Sequence, residues 1–169
     1  HLSGITENDI EVHKRIIQKS PVESVRYSFH NCARVDIFGP YNQDYTIKFI
    51  DNDNQQLVHQ DTIETYHYVK TNRKYYTNWK VIVEVNEELY SVHMFNPYGK
   101  RVIITLDSTA LGDTICWMPY VEEFRKKHNC KVFCSTLCNK LFKNGYPEIE
   151  FIPFGTTIDD IYAIYNVSM

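Results

Sequence analysis

Residues 101–124 constrain the fold of this chain more than any other stretch, because they combine a strand, a turn and a helix. Residues 102–106 form a nearly continuous apolar run, which is typical of a strand covered on both faces. Turn-forming residues follow at 107–109, and beyond Asp113 apolar residues recur at helical spacing among charged ones. The stretch therefore predicts the opening of a βα unit.

Asp113 holds a special position in this unit, at the carboxyl end of the predicted strand and in the first turn of the helix. In open α/β sheets ligands bind outside the carboxyl ends of the strands, and a helix start favours an ionised carboxylate. Asp113 can therefore be a general base. Acidic residues are also common in the first turn of any helix, where they offset the helix dipole. The residue types alone leave both interpretations open.

A resemblance to a known family favours the first interpretation. The segment Leu111-Gly-Asp-Thr-Ile-Cys-Trp-Met-Pro119, preceded by a strand and Ser108, resembles the amino-terminal signature of the family 9 glycosyltransferases, the bacterial heptosyltransferases. Within this family the segment resembles the autotransporter O-heptosyltransferases. The similarity continues through residues 120–132 and 146–152. The sequence departs from the family at the strand end, where Leu106-Asp107 stands in place of the family's lysine. The resemblance therefore does not extend to this part of acceptor recognition.

The resemblance implies an inverting transfer of a sugar, with heptose as one candidate, from a nucleotide donor to a hydroxyl of a protein or glycan acceptor. Asp113 matches the family's base for the acceptor hydroxyl. Ser108, Thr109, Gly112 and Thr114 are then candidates for substrate binding, through hydroxyls and through amides at the helix start. No cofactor is expected, and the nucleotide sugar is a substrate of a metal-independent enzyme.

The resemblance also implies a partner domain. Family members have two Rossmann-like halves that face each other across a cleft (the GT-B fold), and the second half holds most of the sugar nucleotide. This chain corresponds to the amino-terminal part only. We therefore expect a missing carboxy-terminal domain, and we expect this fragment to be inactive by itself.

Composition and charge exclude several other classes. A net charge of -3 and a pI of about 6.2 do not favour a nucleic-acid partner. The sequence contains neither an apolar stretch long enough to span a membrane nor a signal peptide, so a cytoplasmic location is expected. The odd count of five cysteines indicates reduced thiols. Cys130, Cys134 and Cys138 match no common metal-binding spacing and are predicted to be buried apolar residues.

Residues 24–96 show a different pattern, in which apolar and aromatic residues alternate with period two. Six or seven strands separated by turns predict an antiparallel β-sandwich, with tight hairpins at Asp51–Asn54 and at Asn86–Glu88. The histidines of this region are not clustered and predict no metal site. Its exposed tyrosines could contact a sugar or a protein, or simply cover the sandwich.

These patterns predict an α+β chain in three parts. Residues 1–22 form an amino-terminal arm with a helix over 8–19, residues 23–97 form the β-sandwich, and residues 98–169 form a partial Rossmann-like α/β domain. The last part is predicted as strands at 101–106, 131–135 and 149–153, helices at 113–128 and 137–144, and a helical turn at 159–165.

Two alternatives remain at this point. The first is a non-catalytic β-sandwich module that binds carbohydrate or protein and uses the α/β part as a structural support. The second is a small α/β protein in which the Leu-Gly-Asp segment only caps a helix.

Overall fold

A computed structural model describes residues 24–39 and 43–167. The predicted arm over residues 1–22, with its helix, lies outside these described residues. The chain divides into two compact units. Among the described residues, the first unit comprises 24–28 and 32–95, and the second comprises 29–31 and 96–167.

The first unit is built from antiparallel strands, as the period-two pattern predicts. In the described residues the strands that contribute to it are β1 (Ser24–His30), β2 (Arg34–Phe38), β3 (Asp44–Asp51), β4 (Gln56–Glu64), β5 (Tyr68–Lys70), β6 (Trp79–Val85) and β7 (Glu88–Met94). The first five residues of β1 pair with β2, and β2 pairs with β5. The other strands form a four-stranded sheet in the order β4-β3-β6-β7.

The core of this unit follows from the alternation. The inward-facing side chains of β2, β3, β5 and β6 are buried. They are Val35, Ile37, Tyr45, Ile47, Phe49, Val69, Trp79, Val81 and Val83. Tyr27 of β1 stacks on His93 of β7, with ring centroids 4.3 Å apart, and its hydroxyl is 2.8 Å from Ser91 Oγ. Burial raises the pKa of Tyr27 to about 12. The small sheet formed by β1, β2 and β5 therefore contacts the four-stranded sheet through this tyrosine.

Both predicted hairpins are confirmed. Asp51 pairs with Gln56 across the first, and Val85 pairs with Glu88 across the second. The second hairpin has a two-residue loop, with φ of 51° at Asn86 and 65° at Glu87. Positive φ at both residues is the geometry of a type I′ turn, which matches the twist of the flanking strands. Asn tolerates this conformation, whereas a glutamate with its Cβ does not do so readily.

We predict that Glu87→Gly stabilises the protein by about 1 kcal/mol, because glycine removes the Cβ that opposes a positive φ. The free energy of unfolding, measured by urea denaturation, checks this expectation. Glu88→Gly is the matched control, since Glu88 lies within β7 and glycine weakens a strand. Equal destabilisation by the two substitutions would contradict the turn assignment.

The second unit is an α/β arrangement with parallel strands. It contains β8 (Arg101–Leu106), α1 (Leu111–His128), β9 (Lys131–Thr136), α2 (Asn139–Phe142), β10 (Glu150–Phe151) and β11 (Ile161–Val167). The strands lie side by side in the order β10-β9-β8-β11, and all three pairs are parallel. The last residues of β1 add to the other edge of β11, where Phe29 pairs with Ala163 and His30 with Ile164.

The helical turn predicted at residues 159–165 is wrong, because Ile161–Val167 is the strand β11. Its β-branched and aromatic residues favour a pleated strand, and its pairing with β8 supplies the hydrogen bonds of a ladder. The described part of this sheet therefore has four parallel strands of its own instead of the three predicted. The helix predicted at 137–144 is only Asn139–Phe142, and the strand predicted at 149–153 is only Glu150–Phe151.

The two faces of the parallel sheet are covered differently. On one face α1 buries Thr114, Met118 and Val121, and Met118 Sδ lies 4.0 Å from Cys134 Sγ of β9. A cluster of Ile103, Phe133 and Ile152 is packed against the half-buried Ile158, Ile161 and Ile164.

No helix in the described part of the chain is long and apolar enough to cross a lipid bilayer.

Candidate functional site

The strand order of the second unit gives the carboxyl end of β8 a special position. The chain continues from β8 to β9 and β10 on one side, and then returns to place β11 on the other side of β8. In open α/β sheets such a reversal of strand order leaves a crevice outside the carboxyl ends of the strands, where ligands bind. β8 ends at Leu106, and residues 107–110 lead into α1 at Leu111. The candidate site is this turn and the first turn of α1.

Asp113 is held in this site by a short hydrogen-bond chain. The Ser108 hydroxyl donates to Asp113 Oδ2 over 2.7 Å, and the Ala110 amide donates to Ser108 Oγ over 3.1 Å. The carboxyl group is half-buried, and none of the described residues donates a hydrogen bond to Oδ1. One carboxylate oxygen is thus oriented by the turn, while the other is open to a ligand.

The start of α1 carries unused backbone donors. Ala110 occupies the N-cap position and offers no side-chain cap. Its carbonyl accepts the amides of Asp113 at 3.2 Å and Thr114 at 3.4 Å. The amides of Leu111 and Gly112 have no acceptor among the described residues. Helix-start amides of this kind, together with the positive end of the helix dipole, favour binding of an anion or a developing negative charge.

The structure treats the five predicted site residues differently. Ser108 and Asp113 are in direct contact, as described above. Thr109 and Gly112 are exposed on the same turn, and no atom lies within 4 Å of the position that a Cβ on Gly112 would take. Thr114 is only 3% exposed, because its side chain belongs to the face of α1 that packs on the sheet.

An apolar cleft next to the first turn of α1 is a feature that the sequence did not reveal. It has a volume of about 480 Å³ and is lined by Leu111 and by residues 136–141, which follow β9. Leu111, Leu137 and Leu141 are 45%, 60% and 58% exposed. Asn139 fixes this loop, since its Oδ1 accepts the Thr136 amide and its Nδ2 donates to the Ile152 carbonyl. In the sequence these leucines look like ordinary core residues, so no sequence signal distinguishes residues of the cleft from residues of the core.

Comparison with known proteins supports a transferase relationship. The chain is 27% identical over 151 residues to the inactive autotransporter heptosyltransferase BimC of Burkholderia thailandensis, covering 88% of this chain and 35% of the relative. It is 28% identical over 152 residues to the autotransporter heptosyltransferase Aah of Escherichia coli, covering 85% of this chain and 37% of the relative. No protein-family model matches the chain.

Solved structures show the same relationship at the level of the fold. The crystal structure of the iron-containing dodecameric glycosyltransferase TibC from enterotoxigenic Escherichia coli matches with a TM-score of 0.76 at 22% identity, over 89% of this chain and 39% of that chain. A TibC structure in complex with ADP-D-β-D-heptose matches with a TM-score of 0.74 at 22% identity, over 85% of this chain and 38% of that chain.

These matches place the chain among homologues of glycosyltransferases. More narrowly, its homologues are autotransporter heptosyltransferases, which confirms the resemblance to the amino-terminal part of these proteins. The chain spans only 35–37% of the length of the relatives that it matches.

The comparisons overturn the expectation of a metal-independent enzyme, because TibC is described as iron-containing. The described residues of this chain do not fit an iron site. No three His, Cys, Asp or Glu side chains among them come together closely enough to hold a metal ion. Burial raises the pKa of Cys130 to about 11 and that of Cys134 to about 12, and both favour the neutral thiol over the thiolate that binds metals.

We predict that Cys130 and Cys134 resist alkylation in the folded protein while the exposed Cys116 reacts, because alkylation requires an accessible thiolate. Treatment with iodoacetamide at about pH 8, near the ordinary cysteine pKa, followed by peptide mass spectrometry measures each site. Unfolding in urea should bring the three rates together. Equal labelling of Cys134 and Cys116 in the native protein would contradict the burial described here.

Proposed function

We propose that this chain is the acceptor-binding part of an inverting glycosyltransferase of the GT-B type, with Asp113 as the general base. The single observation that carries the proposal is the geometry of Asp113, in which Ser108 fixes Oδ2 and Oδ1 stays open at the carboxyl end of β8. The homology to autotransporter heptosyltransferases supports the same reaction class.

In the proposed reaction, an acceptor hydroxyl donates a hydrogen bond to Asp113 Oδ1 and passes its proton to that oxygen as it attacks. The hydroxyl oxygen forms a bond to the anomeric carbon of the donor, and the bond from that carbon to the nucleotide diphosphate breaks on the opposite face. The electron pair leaves with the diphosphate, and the anomeric configuration inverts. Asp113 must therefore be ionised before the step and carries the proton afterwards.

The other residues of the turn act by positioning. Ser108 holds the carboxylate through its 2.7 Å hydrogen bond, so the lone pairs of Oδ1 keep a fixed direction. The exposed hydroxyl of Thr109 and the amides of Leu111 and Gly112 contact polar groups of the acceptor. Thr114 has a buried side chain and an engaged amide, so we leave it out of the proposal.

A second domain completes the proposed enzyme. The chain corresponds to 35–37% of the length of its relatives. We propose that a nucleotide sugar is held by a carboxy-terminal domain outside these residues, and that this chain alone is inactive. TibC binds ADP-D-β-D-heptose, which makes that compound the first donor to test. A cytoplasmic location stays a prediction.

We predict that Asp113→Asn lowers transfer by about 10²–10⁴-fold, the usual contribution of a general base. The assay measures transfer of heptose from ADP-D-β-D-heptose to a serine-rich polypeptide by mass spectrometry of the acceptor, using a gene product that contains this chain and its carboxy-terminal domain. Glu123→Gln is the matched control, since Glu123 is an exposed carboxylate of α1 outside the candidate site and should retain activity. Near-normal transfer by Asp113→Asn would rule out the proposed base.

Gly112 provides a second test, which separates folding from function. We predict that Gly112→Ala raises stability by about 0.5–1 kcal/mol, because alanine favours a helix and space for its Cβ is open. The same methyl group stands where the proposed acceptor approaches the helix start, so KM for the acceptor should rise. Urea denaturation and steady-state kinetics measure the two effects. A more stable variant with unchanged KM would remove Gly112 from the binding surface.

A non-catalytic homologue is the second candidate, and one observation favours it. BimC, at 27% identity, is described as an inactive autotransporter heptosyltransferase. In that case the chain supports a binding function and no carboxylate is used as a base. The same assay distinguishes the two, because an inactive homologue shows no transfer from any donor, whereas the proposed enzyme shows transfer that depends on Asp113.

A further inference from the structure

The outer face of the small sheet in the first unit carries an unusual set of side chains. Inward-facing residues of β2 and β5 are buried, and the alternate residues of β1, β2 and β5 point away from the core. We call this outer set the cationic face, and its members are Arg26, Arg34, Asp36, Phe38, Tyr68 and Lys70. Cross-strand pairs bring them into rows, with Arg26 opposite Asp36, Asp36 opposite Tyr68, and Arg34 opposite Lys70.

Two of the cations are stacked on aromatic rings. The Arg34 guanidinium lies 3.8 Å from the centroid of the Tyr68 ring, and that of Arg26 lies 5.2 Å from the centroid of the Phe38 ring. Arg34 is further fixed by Asp36, because its Nε donates to Oδ1 at 3.1 Å and to Oδ2 at 3.0 Å. Arg34 is therefore paired with Asp36 and held against Tyr68, which leaves the other two cations of this face for a ligand.

The charge of this face is not balanced by its own residues. Asp36 is the single carboxylate of the cationic face, and it is engaged by Arg34. Arg26 and Lys70 are exposed, and neither forms an ion pair with any of the residues that the structure describes. Positive charge therefore exceeds negative charge here, although the whole chain has a net charge of -3. The reversal is local to one sheet face.

The spacing of the free cations selects an extended ligand. Arg26 is on β1 and Lys70 is on β5, with β2 between them. Neighbouring strands lie about 4.8 Å apart, so the backbones of β1 and β5 are about 10 Å apart. Arg26 and Lys70 are also two residues apart along the strands, so a single phosphate or sulfate ion could contact both cations only if the two long side chains converged on it, at a cost in side-chain entropy. An extended polypeptide presents side chains on one side about every 7 Å and can place carboxylates against both.

We propose that the cationic face binds an acidic, extended polypeptide segment, with Arg26 and Lys70 pairing to its carboxylates and Tyr68 and Phe38 contacting its aliphatic parts. Nucleic acid fits less well, because its affinity comes from many phosphate contacts, and only two cations of this face have no ion pair among the described residues. This interaction is independent of the transfer reaction, since no residue of the Asp113 site takes part in it.

The test is a titration of the isotopically labelled chain with a deca-L-glutamate peptide, followed by ¹⁵N–¹H correlation spectra. Saturable shifts are expected at amides of β1, β2 and β5, and binding should weaken as sodium chloride is raised. Arg26→Glu and Lys70→Glu should each weaken binding about tenfold or more. Lys131→Glu is the matched control, because it makes the same charge change at an exposed lysine of the second unit and should leave binding unchanged.

Three outcomes would overturn the proposal. The first is the absence of saturable shifts on the cationic face. The second is equal weakening by Lys131→Glu, which would mean that only the net charge matters. The third is binding of decathymidylate that is as tight as that of the peptide and depends on the same residues, which would assign the face to nucleic acid or to polyanions in general. Spectra of the free variants show whether each remains folded before the titration begins.

Discussion

The parallel pairing of β8 on both of its edges is the constraint on which the second unit depends. β8 pairs with β9 from Arg101 to Leu106, and with β11 from Arg101 to Leu106 on the other edge. Because successive side chains of a strand face opposite ways and β8 is buried on both faces, a slip of one residue would exchange the side chains that pack on its two faces. The register therefore fixes where the strand ends, and with it the position of the turn that joins Ser108 to Asp113.

The sequence predicted β8, α1 and β9 well because their signals are local. A continuous apolar run, a helical period and a turn between them are visible within a few residues. β11 was missed because Asp159-Asp160 before an apolar run is typical of a helix start, while its true partner β8 lies about 60 residues earlier. Pairing at such a distance leaves no local pattern. Tertiary contacts therefore decided the structure of this segment.

The candidate site was predictable to a similar degree. The closeness of Ser108 and Asp113 follows from a short turn, which the residue types indicate. The burial of Thr114 and the exposure of Leu137 and Leu141 depend on how α1 and the loop after β9 lie against the sheet. In the first unit, alternation predicted the strands, but the grouping of cations on one face required the register of β2 with β5.

The position of β11 has a consequence for biosynthesis. Among the described residues it is the last strand in the chain, yet it lies between β8 and the end of β1. A ribosome delivers β8, α1 and β9 well before it delivers residues 161–167. Until then one edge of β8 offers unpaired amides and carbonyls beside apolar side chains, a surface to which other nascent chains can add. This edge of β8 is covered only when β11 enters the sheet, so truncation or stalling before Ile161 leaves an intermediate that is liable to aggregate.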